Sequence, residues 1–347
     1  MRKITTFALV AASSLALAAC GGSGGSGGGS RDYIRAVGSS TVYPFATAVA
    51  EEYAKTGGKS PVVESTGTGA GIRLFCAGVG ASHPDIANAS RRIKQSEYEL
   101  CQKNGVAEIV EVQVGIDGIA FAEAKGGPGM ALTPADVYKA IAANPYGKPN
   151  TAKSWKDVNP ALPDMPIVVY GPPSTSGTRD ALAELILTPG CKADPATAAL
   201  EKTDEDKFKA ICTQVREDGA YVDAGENDNL IVQKISQNPR AVGIFGYSFL
   251  EANPDTLKGI PMSGVEPTYQ TISDFSYPGA RPLYLYVKKA HVGPIQGLAE
   301  YMGTWPKVWG SDGLLKNKGM VIAPEDVRSR NAEVVANMTP LDPSELK

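Results

Sequence analysis

The chain has 347 residues, with 34 Lys and Arg against 37 Asp and Glu, a formal net charge of −3 and only two histidines. That balance argues against a nucleic-acid partner, which calls for a basic face. His83 and His291 are too far apart for a helical His-Glu-x-x-His zinc site, and the length suffices for two domains with separate cores.

In chain order, Arg2 and Lys3 precede an apolar run from Ile4 to Ala19 that ends in "LAAC", Leu17 to Cys20. A stretch this short with small residues at its end suits an export signal over residues 1–19 better than a membrane span. A cysteine directly after Leu-Ala-Ala resembles the bacterial lipoprotein box, which implies cleavage before Cys20 and a lipid on its thiol. "GGSGGSGGGS", Gly21 to Ser30, has no apolar surface to bury, so residues 20–31 read as the lipidated cysteine and a flexible tether. The Gly-Gly-Ser-Gly-Gly inside it matches a hydrolase elbow by letter only, because that elbow needs a strand before it and a helix after it.

Four cysteines remain: Cys76, Cys101, Cys191 and Cys212. An even number in an exported chain favours disulfides. Three pairings are possible, and Cys76–Cys101 with Cys191–Cys212 closes the shortest loops. Cys212 alternatively belongs to a helical core stripe with Phe208, Ile211 and Val215, where a free thiol packs well.

Short apolar strands alternate with amphipathic helical stretches, the pattern of a layered α/β protein. Strands are expected at "PVVES", "DIANAS", "EIVEVQVGIDGIAF", "PIVVYG", "AVGIFGY" and "RPLYLYVKK". Helices are expected after Pro44, where Phe45, Val49, Ala50 and Tyr53 share a face, after Thr133-Pro134, and around Leu182, Leu185 and Ile186. Two stretches, 108–124 and 268–288, keep apolar character beyond one ordinary strand. If each crosses between lobes, lobe 1 is 32–114 plus 274–347 and lobe 2 is 115–273.

Four segments share one local chemistry. "VGSSTVYPF" places Ser39, Ser40 and Thr41 before a helix, and "ESTGTGAGIRLF" places Thr66, Thr68 and three glycines before another. "NASRRIK" ends a strand with Ser90, Arg91 and Arg92, and "YGPPSTSGTRDAL" follows a strand with Ser174, Thr175, Ser176, Gly177, Thr178 and Arg179. In open α/β sheets ligands collect where strands lead into helices. Unpaired N–H groups of a first helical turn, hydroxyls and closely approaching glycine backbone make a shell for a small oxyanion. Any one such loop is an ordinary helix cap; four together with three arginines favour an anion. Enzyme readings have less behind them. "GGKS" at 57–60 has Tyr53 where a nucleotide loop needs its first glycine, "GTGAG" is not a dinucleotide fingerprint, and no base or metal cluster is evident. No cofactor and no metal are expected.

"GSSTVYPF", "STGTGAGIRLFCAGVG", "PDIANASRRIK", "STSGTRDAL" and "AVGIFGYSFL" resemble the periplasmic phosphate-binding protein of bacterial phosphate ABC importers, the PstS type, from about Ala36 to Pro306. The resemblance implies a two-lobed α/β periplasmic binding protein (Venus-flytrap, type II) with a hinge of two crossing strands. Such a protein closes on inorganic phosphate and delivers it to an ABC permease, without catalysis. It assigns a ligand hydroxyl to Thr41, a backbone N–H to Val42, a hydroxyl to Thr68, and further donors to Ser176, Gly177 and Thr178. Ser40, Ser90, Arg91, Arg179 and Asn227 complete the expected shell. Two positions depart from the family pattern. Arg91 stands where the best-known members carry a proton-accepting aspartate, and Pro172 stands where they carry an arginine. Asp180, or Glu226 and Asp228, are substitute acceptors. The departures keep two alternatives open: a binder of sulfate or arsenate, and an exported phosphohydrolase. The resemblance also implies a monomeric lipoprotein anchored through Cys20. Gly21 after the lipidated cysteine favours the outer membrane over the inner.

Overall fold

The computed structural model describes residues 31–225 and 227–346. The export segment, Cys20, the tether as far as Ser30, Glu226 and Lys347 lie outside the described residues; Arg31, expected at the end of the tether, instead belongs to the folded body, donating to Asp85 and to the His83 carbonyl at 2.8 Å. Among the described residues, nine strands form one sheet: β1 Arg35–Gly38, β2 Val62–Ser65, β3 Ile86–Ala89, β4 Ile109–Ala124, β5 Val169–Gly171, β6 Tyr221–Asp223, β7 Val242–Gly246, β8 Leu257–Gly259 and β9 Ala280–Lys288. The order is β2-β1-β3-β9-β4-β7-β5-β6, with β8 added on β4. Pairs β1–β2, β1–β3, β5–β6 and β5–β7 are parallel, while β9 and β4 run antiparallel to their neighbours.

Two long strands join two halves. The first part of β4 pairs with β9 and the second part with β7 and β8. Val110, Val112 and Val114 pack in one core with Ile34, Val49, Leu283 and Trp305, whereas Ile116, Ile119 and Phe121 pack in another with Tyr138, Trp155 and Ile244. The change of core falls at a register shift between Gln113 and Gly115. An irregularity there re-aims the strand without breaking it. On the return, Tyr277 belongs to the second core and Leu283 to the first. Val321 and Ala323 from the C-terminal stretch also pack in the second core, and Ile116 exchanges two backbone hydrogen bonds with Val321.

The helices start where local chemistry directs. Pro44 sits in the first turn of Tyr43–Lys55, where its missing N–H costs nothing. Thr133 caps Pro134–Ile141 by accepting the N–H of Asp136. Gly177–Leu182 runs on through a π-helical turn, Ala183–Leu187, into Thr188–Lys192. One expectation needs correction: 268–288 is not extended throughout. Thr268 and Thr271 form a capping box that starts the helix Tyr269–Ser273, and the strand begins only at Ala280. Strands β1, β6 and β8 had no expectation: RAVG, YVD and LKG stand in no longer apolar run, whereas the equally short β5 lies in the run PIVVYG.

Both disulfides form as the shortest-loop pairing expects, Cys76–Cys101 and Cys191–Cys212. The first ties the end of the helix Thr68–Phe75, one of the site helices, to Gln95–Lys103. The second ties Thr188–Lys192 to Glu205–Thr213, so the stripe position of Cys212 carries a bond as well as packing. Replacing Cys191 and Cys212 together by alanine is expected to lower stability by about 2–4 kcal/mol. An unchanged thermal midpoint in that variant would show that this bridge restrains nothing.

Candidate functional site

Three loops of the first half are tied together at the ends of β1, β2 and β3. The Gly38 carbonyl accepts the N–H groups of Thr66 at 2.8 Å and Gly67 at 2.9 Å, and the Ser39 N–H reaches the Asn88 carbonyl at 2.9 Å. Gly38 itself has φ +135°, and a Cβ there would sit 2.1 Å from the Asn88 oxygen, so only glycine lets β1 and β3 end so close together. The Thr68 hydroxyl oxygen accepts the Ser90 N–H at 3.1 Å and lies 3.0 Å from the Ser90 hydroxyl. Both residues are buried. The three hydroxyls of the first loop divide their work. Ser39 Oγ accepts the N–H groups of Thr41 and Val42 at 3.2 and 3.3 Å, which is ordinary capping. Ser40 and Thr41 are thereby turned outward from the helix, toward the other half.

The loop from the other half meets them directly. Ser176 caps Gly177–Leu182 by accepting the Thr178 N–H at 3.2 Å. The Thr41 hydroxyl donates to the Gly177 carbonyl at 3.1 Å, and the Ser40 hydroxyl donates to the Asp180 carboxylate. A Cβ on Gly177 would lie 2.6 Å from Thr41 Cα and 2.8 Å from Thr41 N. Glycine is therefore required here for contact between the two halves rather than for a special dihedral. Ser40, Thr41, Gly177 and Asp180 thus meet at one place, and Thr68 and Ser90 stand on the same three-loop platform as Thr41.

The arginines behave differently from one another. Arg91 forms a two-pronged pair with Glu97 at 2.9 and 2.7 Å, and that hydrogen bonding raises the guanidinium pKa. Arg92 is held by Glu111 and Glu345. Arg179 donates to the Pro172 carbonyl at 3.2 Å and lies 4.7 Å over the ring of Tyr221, whose hydroxyl donates to the same carbonyl. Burial pushes the Tyr221 phenol up to about 12, with Arg179 opposing. Asn227 accepts the Asn229 N–H as the cap of Asp228–Gln237 and is exposed.

One residue at the meeting point had no expectation attached. Arg281, at the start of β9 and opposite Asp117 of β4 in register, donates to Asp117 at 3.1 Å and to the Thr41 hydroxyl at 2.8 Å, and pairs with Glu184. Burial pushes the Asp117 carboxyl up, and Arg281 opposes that shift. The signal was present in the sequence as an arginine opening an otherwise apolar crossing strand. Beside Arg281 a cleft of about 790 Å³ opens between the halves, lined also by Ser90, Arg91, Glu184 and Phe208. A cavity of similar size, about 820 Å³, lies apart from the four loops, between Tyr247 and Tyr269 on one side and Lys316 and Met320 on the other.

A family model described as the PBP superfamily domain matches residues 24–304. Protein SphX of Synechococcus elongatus is 33% identical over 275 residues, covering 76% of this chain and 71% of that protein. Phosphate-binding protein PstS of Staphylococcus saprophyticus is 32% identical over 310 residues, covering 87% and 85%. The chain belongs to the PstS-type binding proteins of the PBP superfamily. A crystal structure described as a possible phosphate binding protein from Planctomyces limnophilus superposes with a TM-score of 0.71 at 28% identity, covering 88% of this chain and 98% of that one. An ABC-type phosphate transport receptor from Vibrio cholerae shares the fold at 20% identity, with a TM-score of 0.54. The two-lobed PstS-type architecture accounts for the two cores and for the loops that meet between them.

The contact of Gly177 with Thr41 is a point where the two lobes of this PstS-type chain touch backbone to backbone. Gly177→Ala improves helix propensity at an unstrained position, yet its methyl cannot fit against Thr41. The variant is expected to keep its thermal midpoint and to show a larger radius of gyration by small-angle scattering, because the lobes cannot fully close. A scattering curve identical to that of the parent chain would remove the steric role assigned to this glycine.

Proposed function

We propose that the chain binds inorganic phosphate between its two lobes and delivers it to an ABC-type importer. Lobe 1 is taken as 32–114 plus 274–347 and lobe 2 as 115–273. The observation that carries the reading is the contact of donor-rich loops from both lobes, with the Thr41 hydroxyl on the Gly177 carbonyl and the Ser40 hydroxyl on the Asp180 carboxylate. Relatives covering most of the chain bear the name phosphate-binding protein, and the family's members are binding proteins rather than enzymes.

In this reading Thr41, Thr68, Ser176, Gly177 and Thr178 supply hydroxyl and N–H donors, with Ser40 and Ser90 beside them, and Val42 shares with the anion the N–H that Ser39 Oγ accepts at 3.3 Å. Preorganised donors in a water-poor cleft replace the hydration shell of the anion, and closure of the lobes strengthens each contact by excluding water. Arg91 and Arg179 contribute positive potential while keeping their protein partners, and Asn227 stays at the margin as a cap. Asp180 favours phosphate over sulfate. A carboxylate at the lobe junction accepts a hydrogen bond from a protonated phosphate oxygen, whereas fully ionised sulfate has no O–H to donate, and sites built this way discriminate by roughly 10⁴–10⁵. The signal over 1–19, lipidation of Cys20 and anchoring in the outer membrane belong to the same proposal. Among the described residues no helix is long and apolar enough to cross a membrane.

Thr178→Ala is the cleaner test, because Ser176→Ala also removes a helix cap worth about 1 kcal/mol. Loss of one hydrogen bond to a charged ligand is expected to weaken phosphate binding by roughly tenfold to a hundredfold, read by calorimetry with an unchanged thermal midpoint. Phosphate that sulfate displaces at equal concentration would defeat the assignment of the anion. Unchanged affinity in Thr178→Ala would defeat the assignment of the site.

A further inference from the structure

We propose that Arg281 is the guanidinium that grips the anion between the lobes, and that Glu184 is an internal carboxylate which occupies that guanidinium until the anion displaces it. The inference rests on the phosphate-binding reading and assigns the charged member of the site, which the sequence had sought in Arg91 and Arg179.

The partners of each arginine decide between them. Arg91 spends both terminal nitrogens on Glu97, Arg92 is shared by Glu111 and Glu345, and Arg179 lies on Tyr221 with one nitrogen on the Pro172 carbonyl. Arg281 alone among these four donates to a hydroxyl of the interlobe contact, Thr41, whose own proton goes to Gly177 of the opposite lobe. It stands on β9 opposite Asp117, at the junction of the lobes, so neither opening nor closing carries it away from the cleft. Its side chain is only 5% exposed and forms part of the wall of the 790 Å³ cleft together with Ser90 and Glu184, so it is the departure of Glu184 that would open the guanidinium to a solute.

The two carboxylates on Arg281 are not equivalent. Asp117 is enclosed with it, at 14% side-chain exposure, and holds Nε from the neighbouring strand. Glu184 is 51% exposed and comes from the π-helical turn of the other lobe. An ion pair with one half-exposed member contributes little net stability. A guanidinium presents the same planar fork to a phosphate oxygen pair as to a carboxylate. Glu184 therefore acts as an exchangeable anion. It keeps the buried charge paired in the unliganded protein, and it lowers the apparent affinity by the fraction of molecules in which it must first be displaced.

The experiment is calorimetric titration of inorganic phosphate into the purified chain and three variants, with thermal midpoints recorded without phosphate. Glu184→Gln is expected to bind phosphate about three- to tenfold more tightly, and Arg281→Lys about a hundredfold or more weakly. The double variant Asp117→Asn with Arg281→Gln leaves no buried carboxylate unpaired at the hinge, and it is expected to fold and to lose phosphate binding in the same way. Weaker binding in Glu184→Gln would make this carboxylate a proton acceptor for the ligand and overturn its role as a competitor. Unchanged affinity in Glu184→Gln overturns it equally. Parent-like affinity in Arg281→Lys or in the double variant would remove Arg281 from the site. A parent chain that binds no phosphate at all would instead reject the underlying functional reading.

Discussion

The pairing of β4 with β9 from Ile109 to Gly118 is the constraint on which the rest of the molecule depends. One strand belongs to both cores, so the two lobes are extensions of one sheet and cannot drift apart. The shift of register at Gln113 and Gly115 lies where β4 leaves one core for the other. Because the strands are antiparallel there, Asp117 and Arg281 face each other at the junction, and a buried charge pair sits at the base of the cleft. Such a pair is costly to place in a protein interior and is strongly destabilising to break. Its position beside Thr41 gives a physical reason for keeping it there.

Around that junction, hydroxyls of one chemical type do two different jobs. Ser39 and Ser176 satisfy backbone N–H groups at helix starts, as caps do anywhere. Ser40 and Thr41 reach across to Asp180 and Gly177. The capping residues make the contact residues usable, since a first turn left uncapped would draw neighbouring hydroxyls back onto its own backbone. Glycine has a parallel double role. Gly38 admits β3 and Gly177 admits Thr41, in both cases by having no Cβ where a backbone atom must pass.

Charge is distributed with similar economy. Two of the four arginines near the loops are held by carboxylates of their own lobe, Arg91 by Glu97 and Arg92 by Glu111. These pairs stiffen the platform under Thr68 and Ser90. The chain is net negative, and the basic side chains around the cleft alternate with Glu184, Glu201 and Glu205, which gives a nucleic acid no continuous basic surface to bind.

The sequence by itself determined the layered α/β class, the four donor-rich loops, the helix starts at Pro44 and Thr133 and the long strand at 108–124; it left three cysteine pairings open, of which the shortest-loop one forms. Each of these is a local pattern, written in periodicity, capping residues or spacing, and local patterns survive without knowledge of neighbours. The short strands β1, β6 and β8 escaped because they stand in no apolar run that marks them, and the helix interrupting 268–288 because a capping box outweighed apolar character. Only the tertiary structure decided which hydroxyls cap and which cross the cleft, and which arginine stands at the junction. Arg91 and Arg179 lie next to donor runs in the chain, but their charges are directed to Glu97 and Tyr221. Arg281 lies 240 residues from Thr41 and touches it. A side chain's partners are set by how strands register across the sheet, and that information is spread over segments distant in sequence, where no local pattern can carry it.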